Sequence, residues 1–141
     1  MTATTLIALL QIAAVLHLGL AWAGATMPKV VGLGEQLSPL PPFIRQLFYT
    51  YLSFIALMLA AFGTLTFILA PNIAAGEPAA RGLCLLMLGF WLVRLFVAAF
   101  VFDVRPYLIN WSLRLGYQAT NVVFIYLVIV YALAAWKGGR L

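Results

Sequence analysis

Acidic side chains are nearly missing: Glu35, Glu77 and Asp103 are the three, against eight lysines and arginines. So few carboxylates leave no pair inside an apolar stretch for general acid–base chemistry. The single histidine, His17, excludes a bis-histidine haem within one chain and gives a metal no second imidazole. Met58 or Met87 would have to supply the other axial ligand of a haem on His17, and nothing selects either. The single cysteine, Cys84, excludes an internal disulfide and any CxxC chemistry, and reads as a small buried hydrophobe. There is no HExxH and no phosphate-cradling glycine loop. Ser38, Ser53 and Ser112 have no histidine at a spacing that suggests a triad, although triads are assembled in space. Self-contained catalysis is not expected, and no cofactor is named by these residues.

Charge of either sign is scarce. Charged residues are 8% of the chain and apolar ones 66%, where an ordinary soluble domain carries about 25% charged residues. The net charge of +5 is scattered rather than clustered, which excludes a nucleic-acid face. A soluble core of this size cannot hide so much apolar surface, so the chain belongs in a bilayer.

What is present is four long apolar runs, about 3–25, 47–70, 83–102 and 117–136. Each is long enough to cross a hydrocarbon core of about 30 Å as a helix. The sequence therefore predicts one all-α membrane domain over residues 1–141, a bundle of four transmembrane helices with interfacial segments on one side. The first run ends in Ala21-Trp22-Ala23-Gly24-Ala25, which resembles a small-residue cleavage site. It has no Lys or Arg before it and exceeds a signal-peptide apolar region, so a retained helix is expected.

Prolines punctuate the chain. Pro28 predicts an end to the first helix near Thr26, Pro71 closes the second, and Pro106 stops the third near Val104. Lys29–Gln46 reads as an interfacial connection of about twenty residues kept apolar by Leu33, Leu37 and Leu40. Asn72–Gly82 reads as a shorter connection, and Tyr107–Gly116 as a separate interfacial helix. Four spans put both termini on one face; the opposite face, side A, holds most of the interfacial aromatics, including Trp22, Tyr49, Tyr107, Trp111 and Tyr117. Lys29, Arg45, Arg105 and Arg114 fall on side A and Arg81, Lys137 and Arg140 on the other, a split that fixes no orientation.

Two basic groups stand inside spans. His17 and Arg94 each lie eight residues before the side A end of their run, about 12 Å inside that boundary. Counting down the other two helices brings Thr50, Ser53 and Asn121 to a similar level. His17, Ser53, Arg94 and Asn121 form the candidate ligand-binding layer. Arg94 has no acid on its own face, since Asp103, nine residues on, points the other way. A buried guanidinium requires an acceptor, or must snorkel to the interface; Trp91, one turn back, offers a cation–π surface. His17 has Ala13, Ala14, Ala21 and Gly24 around it, a small-residue face that lets helices approach closely. Ser53, Ala56, Ala60, Gly63 and Thr64 form a similar stripe on the second helix. Asp103, Arg105, Tyr107, Asn110 and Arg114 make an interfacial polar cluster, read as lipid anchoring or a docking site.

In length and four-span layout the chain is similar to the DoxX-like membrane proteins, a likeness that carries no residue assignment. Minimal loops, small-residue stripes and missing catalytic motifs lead to a small polytopic membrane protein, a non-enzymatic accessory or structural subunit of a larger assembly. The alternative is a small ligand-binding or transport protein with a mid-membrane polar site for a lipid, quinone or other anionic or carbonyl ligand. Expected partners are the lipid bilayer and other membrane subunits or further copies of the chain, with no nucleic acid.

Overall fold

A computed structural model describes residues 1–138, the Arg105 side chain excepted; Arg140 and that side chain lie outside the described residues. Five helices follow in order: α1 (Ala3–Val30), α2 (Leu33–Leu37), α3 (Pro42–Ala75), α4 (Pro78–Phe100) and α5 (Trp111–Lys137). A single 3-10 turn, Arg105–Tyr107, stands before α5. There is no strand among the described residues. All but α2 are long and apolar enough to cross a membrane, so this is an all-α, polytopic membrane protein, as composition required.

The helix ends depart from expectation in an instructive way. α1 runs through Pro28 to Val30 and α3 runs through Pro71 to Ala75. A proline removes one N–H from the helical ladder, and a membrane helix accommodates that loss where neighbouring groups compensate. Glycines in the left-handed conformation mark the reversals instead: Gly32 at φ 63° and Gly76 at φ 78°. At Gly76 the Glu77 N–H returns to the Asn72 carbonyl and the Gly76 N–H to that of Ile73, a Schellman closure. Pro78 then starts α4 at once, where its missing N–H costs nothing. The expected 72–82 connection is thus two residues long.

Two further expectations are corrected. α4 ends at Phe100, before Val104, so Pro106 falls in the 3-10 turn and terminates nothing. Tyr107–Gly116 is not a separate interfacial helix, because α5 begins at Trp111 and passes Gly116 unbroken. The long first connection also shrinks: α3 starts at Pro42, five residues before the apolar run it contains.

The chain forms two compact units. One comprises residues 1–13 and 66 onward, and is a small bundle to which α1, α3, α4 and α5 all contribute. Leu6, Leu10, Ile73, Met87, Trp91, Leu127 and Tyr131 are buried in it. Trp91 of α4 stacks on Phe124 of α5 with centroids 5.4 Å apart. The Thr66 and Tyr131 hydroxyls share a buried 2.6 Å hydrogen bond, and the Tyr126 hydroxyl donates to the Leu9 carbonyl at 3.0 Å. Both satisfy phenols that lipid would leave unpaired.

The other unit is residues 14–65: the rest of α1, then α2, then most of α3. α1 and α3 meet where Gly63 lies against Ala14 and His17; a Cβ on Gly63 would stand 2.9 Å from both the Ala14 carbonyl oxygen and the His17 Cβ. The small-residue stripes read from sequence are what permit this approach.

Candidate functional site

Arg94 lies on α4 between Trp91 and Ala98, and its guanidinium rests on aromatic faces. The Cζ atom is 4.8 Å from the Phe124 ring centroid and 5.2 Å from that of Phe102, within cation–π range of both. The cause is local: Phe124 projects from α5 at the level where α4 and α5 pack, and Phe102 follows the end of α4. The rings hold the charge but accept no N–H in the plane of the guanidinium. Its Nη1 is buried and has no hydrogen-bond partner. Buried nitrogens of this kind are rare because the lost hydration is not recovered.

Beside this arrangement α4, α5 and the segment between them line a half-open cavity of about 300 Å³. Leu95, Ala98 and Ala99 supply its α4 wall, Tyr117 and Asn121 its α5 wall, and Phe102, Asp103 and Val104 its rim. Phe102 is common to the cavity and to the bed of Arg94. Tyr117, Asn121 and Phe124 follow one another at helical spacings of four and three, so they share one face of α5. The Tyr117 hydroxyl donates to the Ala98 carbonyl at 3.2 Å, tying the two walls together. Asn121 is half-buried and brings a donor and an acceptor to the cavity.

The four residues of the expected polar layer divide between the two units. Arg94 and Asn121 belong to the bundle of residues 1–13 and 66 onward, and His17 and Ser53 to the 14–65 unit. His17 is fully buried at the Gly63 crossing. The Ser53 hydroxyl donates to the Tyr49 carbonyl of its own helix at 2.9 Å, so it is already satisfied.

The interfacial cluster spans the connection between α4 and α5 and the first turn of α5. Asp103 lines the α4–α5 cavity. Arg114 donates from Nε to the Leu108 carbonyl at 3.0 Å, pinning the segment before α5. Asn110 caps α5 through its backbone only, and Tyr107 is exposed. Sequence reasoning missed Phe102, Phe124 and Tyr117 as parts of the site. The signal available was the spacing of Tyr117, Asn121 and Phe124; nothing in the sequence pairs that face with Arg94.

A second hollow, about 700 Å³, lies in the 14–65 unit. Residues 24–35 form one side, with Lys29 and Glu35 among them, and Tyr49, Leu52, Ser53 and Ala56 of α3 form the other. Among the described residues no three His, Cys, Asp or Glu side chains gather as metal ligands. Comparison with protein-family models, curated proteins and solved structures finds no match, so the reading of either site rests on its own chemistry.

Proposed function

We propose that this small polytopic membrane protein binds an apolar ligand bearing a carbonyl or anionic group, received by Arg94 beside the α4–α5 cavity. The observation that carries the reading is the buried, unpartnered Nη1 of Arg94. A guanidinium held on two aromatic rings is oriented without its hydrogen bonds being used, and so remains able to donate. Asn121, Asp103 and the Tyr117 phenol bring polar atoms to the cavity, and its volume is at the lower end of those that hold small molecules. Asp103 at the rim weighs against a multiply charged anion and favours a quinone-like carbonyl or a single carboxylate.

A neighbouring chain presenting a carboxylate or carbonyl would meet the same demand, which gives the accessory-subunit reading its concrete form. The exposed apolar faces do not favour it, because lipid covers such faces equally well. Native mass spectrometry after gentle detergent extraction separates the two. A small-molecule adduct on the wild type that is lost from Arg94→Leu supports the proposal. A co-purifying protein chain lost from the same variant replaces it with the subunit reading. A wild type that carries neither overturns both.

A further inference from the structure

The hollow of the 14–65 unit is independent of Arg94 and has its own polar inventory. Gly24, Ala25, Leu52 and Ala56 give it an apolar floor, and Lys29, Glu35 and Tyr49 line it as well. Pro28 has no N–H, so the Gly24 carbonyl one turn back loses its ordinary helical donor; both residues line the hollow. Lys29 and Glu35 are exposed and of opposite sign, and among the described residues neither has an ion-pair partner. Lys29 is one residue from the end of α1, and Glu35 follows the Gly32 reversal. Both therefore stand where a spanning helix leaves the hydrocarbon, at headgroup depth.

We infer that this hollow holds one phospholipid whose head joins a phosphodiester to a primary ammonium, the chemistry of phosphatidylethanolamine. Lys29 meets the phosphate. The Glu35 carboxylate accepts N–H bonds from the ammonium, which has three to give. An acyl chain lies along Leu52 and Ala56. A glycerol-headed anionic lipid sets no positive charge against Glu35. A choline head carries the charge but has no N–H for the Glu35 carboxylate.

The test supplies purified protein with liposomes containing equal parts of phosphatidylethanolamine, phosphatidylcholine and phosphatidylglycerol with matched acyl chains. Lipid retained after gentle detergent extraction is counted by native mass spectrometry. Wild type should retain the ethanolamine lipid about three- to five-fold over the choline lipid, the discrimination expected of a partly solvated hydrogen bond that only the ethanolamine head can donate. Glu35→Leu, which removes the acceptor, should bring that ratio close to one. Lys29→Gln should lower retention of all three lipids, and Lys29→Arg, which keeps the charge, should restore it. Equal retention of the ethanolamine and choline lipids by wild type overturns the inference, as does a preference that survives Glu35→Leu in a protein whose circular dichroism and melting are unchanged. Arg94→Leu, run in parallel, should leave the preference intact, so the two sites succeed or fail separately.

Discussion

Replacing Gly63 by alanine tests the packing that buries His17. The added Cβ would sit 2.9 Å from the Ala14 carbonyl oxygen and 2.9 Å from the His17 Cβ, with the Leu18 Cγ at 3.6 Å. Carbon atoms rest at about 3.5–4.0 Å, so α1 and α3 must part locally by roughly 0.6 Å or more. Neither close atom is the free end of a flexible chain: one is backbone and the other is fixed to it. Overpacking of this kind costs about 1–3 kcal/mol. Alanine recovers about 0.5–1 kcal/mol through its higher helix propensity, leaving a net loss of up to roughly 2.5 kcal/mol. Gly19→Ala is the matched control. It makes the same chemical change within α1, in the same unit, with nothing within 4 Å of the new atom, so the propensity gain stands alone. Thermal unfolding of the two variants in one detergent should move in opposite directions, with a gap of several degrees on the scale of about 2–4 °C per kcal/mol. A Gly63→Ala protein that melts as high as Gly19→Ala would show that α1 and α3 do not touch at His17.

Arg94→Met in protein stripped of lipid should change stability little, because two opposing contributions of similar size are removed together. Two cation–π contacts of about 0.5–2 kcal/mol each are lost, and the burden of an unsatisfied buried donor, about 1–3 kcal/mol, is lifted with them. With ligand restored the wild type alone should gain, by about 2.7 kcal/mol at a hundredfold excess over Kd; an equal loss with and without lipid, read by the same melts, would make Arg94 a structural residue. Gly76→Ala forces a side chain into the left-handed turn between α3 and α4 at φ 78°. It should destabilise by about 1–2 kcal/mol, with Gly76→Asn milder than Gly76→Ala in the same assay.

The amino-acid sequence by itself determined that this chain enters a membrane and how many times it can cross. Span length and apolarity are properties of each segment alone, and a bilayer makes helical hydrogen bonding compulsory whatever the neighbours are. The close approach of α1 and α3 was legible for a related reason: Ala14 and Gly63 are small, and smallness is visible one residue at a time. The helix ends were not. Pro28 and Pro71 look like terminators, yet stopping a helix requires the chain to leave helical geometry, which Gly32 and Gly76 do and the prolines do not.

The sites were legible only in part. Arg94 is conspicuous in sequence because a lone charge in an apolar run is costly. What receives it is a relation between helices, and only the packing of α4 on α5 put Phe124 beneath it and left Nη1 without a partner. Lys29 and Glu35 read as ordinary interfacial charges, six positions apart, on either side of a turn. Their sharing of one hollow with Ser53 and Ala56 was decided by the tertiary structure. A sequence specifies which groups must find partners; which partner lies within reach depends on where separate helices cross, and that depends on every packed side chain at once.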